Sequence, residues 1–226
     1  MKKKLIMMLM VLTTLMLLAA CKKEAKNESE LVDTTQATQM YDSKESNTVI
    51  VNVDDIKLEG KNMQSNNVEI SVKNYGKINL ELKPESAPIT VANFKRLVSE
   101  KFYDGLTFHR IIQGFMIQGG DPMGTGMGGS KERIKGEFAS NGVDNKLSHT
   151  RGAISMARSS DPNSASSQFF ICDADDDFLD GEYAVFGYVT SGIEIVDKIA
   201  ADAKVVDNNG TVMKEDQPII EYIKLK

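Results

Sequence analysis

The stretch of sequence that decides the fold runs from Phe108 to Asp121 and is Phe-His-Arg-Ile-Ile-Gln-Gly-Phe-Met-Ile-Gln-Gly-Gly-Asp. Short apolar runs are interrupted here by glycines, and the same pattern continues along the chain to Phe170. Such a pattern is typical of short strands joined by loops. The middle of the chain therefore favours a β structure.

The segment before this stretch has the pattern of a hairpin followed by a helix. Apolar and polar residues alternate over 68–72 and again over 78–82, with a Tyr75-Gly76 turn between them. This alternation predicts two paired strands. Pro88 suits the first turn of a helix. Apolar residues then recur at helical spacing, at Val91, Phe94, Leu97 and Val98.

The segment after it predicts a strand over 185–189, a short amphipathic helix over 193–200 and a last strand over 218–225. Many short strands with only two helices favour a closed β-barrel that is capped by helices. We see no internal repeat and no second globular domain.

The first twenty residues have the pattern of a secretory signal peptide. Three lysines at 2–4 precede an apolar run over 5–18, and two alanines come before Cys21. The apolar run is shorter than the roughly 20 residues that span a membrane. Leu18-Ala19-Ala20-Cys21 resembles a lipobox, at which bacteria acylate the cysteine. We expect lipidation at Cys21, which anchors a protein without threading it through the membrane; the alternative is an ordinary secretory signal.

The composition argues against nucleic acid as a partner. The chain has 27 basic and 32 acidic residues, and three of the lysines lie within 1–20. A mature chain would therefore carry 24 basic and 32 acidic residues. A nucleic-acid binder normally shows the opposite sign. Cys172 is the only other cysteine, and we interpret it as a buried strand residue. The fold should therefore not depend on a disulfide.

We divide the chain into a signal peptide (1–20), a lipid-anchored flexible tether (21–46), an extension of uncertain role (47–66) and a folded domain (67–226). The tether is polar and too poor in apolar residues to offset its chain entropy. Residues 48–53 could add one strand, but the sequence does not place it.

Two further motifs follow the 108–121 stretch. Residues 152–158 are Gly-Ala-Ile-Ser-Met-Ala-Arg, followed by Pro-Asn-Ser-Ala-Ser-Ser-Gln-Phe-Phe-Ile at 162–171. Residues 178–187 are Phe-Leu-Asp-Gly-Glu-Tyr-Ala-Val-Phe-Gly. In this order and spacing the three motifs strongly resemble the cyclophilin family of peptidyl-prolyl cis/trans isomerases. The resemblance extends from about residue 67 to the C-terminus.

The resemblance implies an eight-stranded antiparallel barrel closed by two helices, and it implies a set of site residues. Arg110 matches the family's catalytic arginine, and Gln118 the glutamine that helps to position it. The remaining positions match the substrate-binding surface: Phe115, Met116, Ala157, Arg158, Gln168, Phe170, Phe178, Leu179 and Tyr183.

Three positions depart from the pattern of many eukaryotic members. Phe178 occupies a position where those members have a tryptophan, and Tyr183 one where they have a histidine. Similar replacements occur in bacterial-type members. Phe178 lacks the indole N–H donor, so we expect weak cyclosporin binding. Arg158 stands for an asparagine, and should matter less if that position acts through its backbone.

The chemistry of prolyl isomerisation fits these residue types. Rotation of the X–Pro bond crosses a barrier of about 18–20 kcal/mol that comes from amide resonance. No covalent bond is made or broken, so no nucleophile, acid, base, metal or cofactor is required. A donor for the proline nitrogen, a dry pocket for the ring and a grip on the flanking backbone suffice.

Three other patterns in the sequence have simpler structural interpretations than a binding site. The formal G-x-G-x-x-G at 124–129 lacks the strand–helix context of a dinucleotide site, so we interpret it as a flexible loop. The acidic run over 173–180 has Phe178 and Ala184 where a calcium loop needs glycine and glutamate, which favours a solvated loop. His109 and His149 have no cysteine pair to complete a zinc site. We expect His109 to be a structural histidine packed in the barrel.

The sequence thus predicts an extracytoplasmic, membrane-anchored foldase, monomeric by default, that acts on proline-containing segments of exported proteins. The location is extracellular in a Gram-positive source, which the Lys/Asn-rich composition favours, and periplasmic in a Gram-negative one. Two alternatives stay open at this point: a binding module with the same fold, and a surface lipoprotein in which isomerase activity is incidental.

Overall fold

The computed structural model describes Ile50–Val51, Ile56 and residues 62–226. The predicted signal peptide, Cys21 and the tether lie outside these residues. No helix in the described part is long and apolar enough to cross a membrane.

Eight strands form one antiparallel sheet, in the order β10-β2-β3-β9-β7-β8-β5-β4. The strands are β2 (Asn67–Val72), β3 (Gly76–Leu82), β4 (Thr107–Ile112), β5 (Met116–Asp121), β7 (Ala153–Met156), β8 (Phe169–Cys172), β9 (Val185–Ser191) and β10 (Ile220–Leu225). The predicted hairpin is confirmed as β2 and β3, with Val72 paired to Gly76 across the turn.

The sheet curls until its two edge strands meet. Ile220 N–H donates to the Leu106 carbonyl at 2.8 Å, and its own carbonyl accepts from Gly105 N–H at 2.8 Å. Thr107 and Ile219 form a bridge beside them. These backbone pairs join the beginning of β10 to the chain at the beginning of β4, and so bring the two ends of the sheet together. The predicted eight-stranded barrel is confirmed.

Two helices cap the barrel: α1 (Pro88–Ser99) and α2 (Ile193–Asp202). Helix α1 begins at the proline, as predicted. The buried carboxylate of Glu137 accepts from the backbone N–H groups of Ile89 (3.0 Å) and Thr90 (2.7 Å). A negative group at this end satisfies N–H groups that have no partner in the helix.

A short parallel pair lies beside the barrel. Strand β1 (Ile50–Val51) pairs with β6 (Arg133–Ile134), which places the strand that the sequence left unassigned. Val51 and Ile134 are buried there. Three short 3₁₀ helices complete the described structure, at Ala139–Asn141, Asp177–Leu179 and Lys214–Asp216.

Alternating side chains give the sheet two apolar faces. The larger core fills the barrel and the space under the helices, and includes Phe94, Ile117, Phe169 and Ile171. A smaller cluster lies on the other face of β5 and β8 and comprises Met116, Ala153, Phe170, Cys172 and Val185. This second cluster forms the floor of the candidate site.

Candidate active site

An apolar cavity of about 120 Å³ opens above the smaller cluster. Met116 on β5 and Phe170 on β8 are almost fully buried and form its base. Both side chains point outward from the barrel because their strand neighbours fill the core. The cavity is lined by Arg110, Phe115, Met116, Ala157, Arg158, Phe170, Leu179 and Tyr183.

The guanidinium of Arg110 is fixed at the rim of this cavity by two acceptors. Nε donates to the Asn209 carbonyl at 2.8 Å, and a terminal nitrogen donates to Gln118 Oε1 at 3.2 Å. The guanidinium carbon lies 5.9 Å from the centre of the Phe115 ring. Partial burial lowers the pKa of Arg110 from its ordinary value, but an arginine remains charged in a protein.

A chain of amides holds Gln118 in the orientation that Arg110 needs. Gln118 Nε2 donates to Gln168 Oε1 at 2.9 Å, and Gln168 Nε2 donates to the carbonyls of Gly126 (3.0 Å) and Gly128 (2.7 Å). Because both protons of Gln168 go to carbonyls, its oxygen must face Gln118. The oxygen of Gln118 is then left to accept from Arg110.

Comparison with known proteins identifies this arrangement. Residues 67–224 match the family model described as cyclophilin type peptidyl-prolyl cis-trans isomerase/CLD. The chain belongs to the cyclophilin family.

Curated relatives and solved structures agree with this assignment. Peptidyl-prolyl cis-trans isomerase B of Bacillus subtilis is 48% identical over 139 residues, which cover 62% of this chain and 88% of the relative. A Helicobacter pylori peptidyl-prolyl cis-trans isomerase is 52% identical over 128 residues, covering 56% and 76%. A crystal structure of a Cryptosporidium parvum cyclophilin, in the presence of the dipeptide Ala-Pro, superposes with a TM-score of 0.63 at 34% identity, covering 71% of this chain and 98% of that one. The protein is a cyclophilin-type peptidyl-prolyl cis-trans isomerase.

Most of the predicted site residues of this cyclophilin meet at one place. Eight of them line the cavity, and Gln118 and Gln168 adjoin it through Arg110. Phe178 stands at the rim, 68% exposed, with its ring centre 5.7 Å from that of Phe115.

The side chain of Arg158 has a contact that sequence reasoning missed. Its guanidinium carbon lies 5.0 Å from the centre of the Phe138 ring and 4.6 Å from that of Tyr183. Nε and a terminal nitrogen both donate to the Glu182 carbonyl, at 3.1 and 2.9 Å, and another nitrogen donates to the Ser159 carbonyl at 2.9 Å. The side chain therefore joins the two loops beside the cavity, in addition to any backbone role.

A turn far along the chain holds the acceptor for Arg110. Asp207 Oδ1 accepts from two backbone N–H groups of its own turn, at 2.9 and 3.0 Å. Gly210 follows with a φ of 82°, and a Cβ there would lie 2.5 Å from the Ile111 carbonyl, so only glycine lets the turn pack on β4. The Asn209 carbonyl thereby reaches Arg110. Sequence reasoning missed this contact, although Asp-Asn-Asn-Gly is a clear turn signal.

A buried polar network lies behind Phe170. His149 Nδ1 lies 2.7 Å from Asp180 Oδ1, and its Nε2 lies 3.0 Å from Ser155 Oγ. The ring stacks on Phe170 with centres 5.9 Å apart. Burial lowers the pKa of His149, against the opposing effect of Asp180. Ser155 is completely buried, so this serine, histidine and aspartate cannot attack a substrate and instead support the cavity wall.

The expected solvated loop is confirmed at the exposed Asp175, Asp177 and Asp180, but not at Asp176. Asp176 is not solvated: it is 3% exposed, and its Oδ2 has no hydrogen-bond partner in the described part of the chain. Burial raises the pKa of Asp176 to about 6, and the neighbouring aspartates add to this effect. Cys172 is buried in β8 as predicted, and burial raises the pKa of its thiol.

The glycine-rich segment over 124–129 is a loop, as predicted, but hydrogen bonds to Asp121 restrain its backbone. Asp121 is buried, and its carboxylate accepts from the backbone N–H groups of Met123 (2.7 Å), Thr125 (2.9 Å) and Gly126 (2.6 Å). Within the described residues, no group of three or more His, Cys, Asp or Glu side chains could hold a metal ion.

Proposed function

We propose that this isomerase accelerates rotation about X–Pro bonds by donating a hydrogen bond from Arg110 to the proline nitrogen. The observation that carries the proposal is the guanidinium fixed at the rim of an apolar cavity of about 120 Å³. Such a cavity suits a proline ring. The Cryptosporidium parvum relative in the presence of Ala-Pro supports a ligand of this class.

The hydrogen bond would act on the transition state and not on the ground state. At the twisted midpoint, amide conjugation is lost and the lone pair becomes localised on the nitrogen, whereas in the planar amide it is delocalised into the carbonyl group. A donor that can form its full hydrogen bond only at this point stabilises the transition state more than the ground state, and therefore lowers the barrier. Each tenfold increase in rate requires about 1.4 kcal/mol.

The fixed position of Arg110 makes the donor effective. Asn209 and Gln118 hold the guanidinium before the substrate arrives, so little reorganisation is needed during the reaction. Phe115, Met116 and Phe170 exclude water from the cavity, which strengthens the interaction of the charge with the nitrogen. The role of Gln118 is to position Arg110.

Exchange spectroscopy tests this activity. Cis/trans exchange of an Ala-Pro peptide would be followed by NMR with and without the protein. Uncatalysed exchange takes tens to hundreds of seconds, so acceleration is easily observed. An unchanged exchange rate with folded protein would overturn the proposal and favour a module that only binds proline-containing segments.

We further propose that the enzyme acts outside the cytoplasm as a lipid-anchored protein on exported polypeptides. The support is the order of basic, apolar and small residues before Cys21. An anchored isomerase would meet exported chains while they fold near the membrane, where slow X–Pro isomerisation limits folding.

Acyl labelling in a bacterial host tests the anchor. The full-length protein should incorporate labelled palmitate and partition with membranes, and Cys21→Ser should abolish both. Cys172→Ala is the matched control, since the chain has only these two cysteines, and it should stay labelled. Equal labelling of wild type and Cys21→Ser would refute the anchor.

A further inference from the structure

A second cavity, larger than the first, lies on the other side of Arg110. Its volume is about 240 Å³. This is many times the roughly 10–15 Å³ that is enough to hold one water molecule. Its lining is mostly polar and glycine-rich: His109, Arg110, Gln118, Gly124, Thr125, Gly126, Met127, Asn209 and Thr211. Arg110 is the residue that it shares with the apolar cavity.

His109 is the unusual member of this lining. The side chain is 4% exposed, yet neither ring nitrogen has a hydrogen-bond partner among the residues that the structure describes. Its Nε2 faces the space above Gly126, where a Cβ would lie 3.6 Å away. A buried polar group normally has a partner, and leaving one without costs about 1–3 kcal/mol. His109 is buried, as predicted. Packing in the barrel does not, however, explain why its two ring nitrogens lack partners in the described structure.

The charges around the cavity favour a neutral polar ligand. Burial lowers the pKa of His109, so the ring is neutral and offers one donor and one acceptor nitrogen. Asp121 lies close enough to oppose this shift, which disfavours an acidic ligand, and Arg110 disfavours a basic one. A carboxamide or a hydroxyl can both donate and accept, and so matches the ring.

The shared arginine indicates where such a group would come from. A polypeptide with its proline ring in the apolar cavity lies against one side of Arg110, and consecutive Cα atoms are 3.8 Å apart. A residue adjacent to the proline, or one further away, can therefore place its side chain on the other side of the guanidinium. We propose that the second cavity is a specificity subsite, which binds a neutral carboxamide or hydroxyl side chain within two residues of the proline in the substrate.

This inference rests on the proposed function, and a paired-peptide experiment tests it on the full-length chain. Glutamine and its near-isostere methionine are placed in turn at the two positions on each side of an Ala-Pro core. Catalysed exchange is measured by NMR against the uncatalysed rate of each peptide. At one position the glutamine peptide should have a kcat/KM about fivefold higher, which is the effect of one neutral hydrogen bond.

The histidine ring nitrogens give a direct readout on the wild type. The chain has only two histidines, so ¹⁵N-histidine labelling yields few resonances. The ring signals of His109 should differ between the glutamine and methionine complexes. Those of His149 should not, because its nitrogens are bonded to Asp180 and Ser155 and both peptides present the same proline to Phe170.

Two variants sharpen the result. His109→Phe keeps a ring but removes both nitrogens, and should bring the glutamine-to-methionine ratio to about one. Met213→Leu, at an exposed position outside both cavities, should keep the wild-type ratio. If His109→Phe does not fold, the His109 resonances of the wild type still test the proposal.

Equal kcat/KM values for the glutamine and methionine peptides at every position, with equal His109 signals, overturn the subsite and leave a solvent-filled cavity. Failure to accelerate every peptide is a different outcome and overturns the proposed function as well.

Discussion

The guanidinium of Arg158 lies between two aromatic rings and bridges two loops. Tyr183, one of those rings, is also a wall of the proline cavity. A lysine would keep the charge but not the planar stack or the paired bonds to the Glu182 carbonyl. We therefore expect Arg158→Lys to lower kcat/KM about threefold to tenfold, mainly through a higher KM, because a stacked cation contributes on the order of 1 kcal/mol.

Steady-state exchange measurements at several peptide concentrations would separate KM from kcat for this variant. Arg158→Ala serves as the reference, since it removes both stack and charge. If both variants keep the wild-type KM while remaining folded, the side chain does not shape the cavity.

The buried carboxylate of Asp176 should make stability depend on pH. Its pKa is raised from 3.8 to about 6, so between these values the folded protein holds a proton that the unfolded chain has released. The free energy of unfolding therefore falls as the pH rises through this window. Asp176→Asn removes the ionisation, and should raise Tm relative to wild type at pH 8.

Thermal unfolding at pH 8, 6 and 4 checks this prediction. The advantage of Asp176→Asn should shrink as the pH falls and be small at pH 4, where the wild-type carboxyl is protonated in the folded state and about half protonated in the unfolded chain. A Tm difference that is the same at all three pH values would contradict the assigned burial effect.

Phe94 packs helix α1 onto the aromatic side chains of the barrel core. Its ring is fully buried, with centres 5.2 Å from Tyr103, 5.8 Å from Phe169 and 5.2 Å from Phe186. Phe94→Ala leaves a cavity among these rings and should lower the free energy of unfolding by about 3–5 kcal/mol. Urea unfolding followed by circular dichroism measures this loss. Phe94→Leu is the control and should cost clearly less; equal costs would mean that the aromatic cluster does not hold the helix.

The longer elements could be predicted because their periodicity is strong. Alternation over 68–72 and 78–82 predicted β2 and β3, and the recurrence after Pro88 predicted α1 from its first residue. Strands β1 and β6 contain two residues each, which is too short for any period to show. Their pairing depends on contact between segments about eighty residues apart.

At the scale of the whole molecule, barrel closure and the site both depend on contacts between distant segments. The number of strands and the grouping of Arg110 with Phe170 and Tyr183 were predicted from the resemblance of three motifs to a family, and not from local patterns, and the strand order was not predicted at all. The Asn209 carbonyl lies 99 positions from Arg110, outside the motifs, so nothing in the sequence connected them. The burial of Asp176 was missed for a related reason, since an acidic run predicts solvation unless the packing of its neighbours is known.

The central claim is that Arg110 donates to the proline nitrogen in the twisted state. Exchange NMR of an Ala-Pro peptide with wild type and Arg110→Ala tests it most directly. The variant should lose about a hundredfold or more in rate, as when one transition-state donor is removed, while its circular dichroism and Tm stay close to those of wild type. A folded Arg110→Ala variant with the wild-type exchange rate would contradict the account.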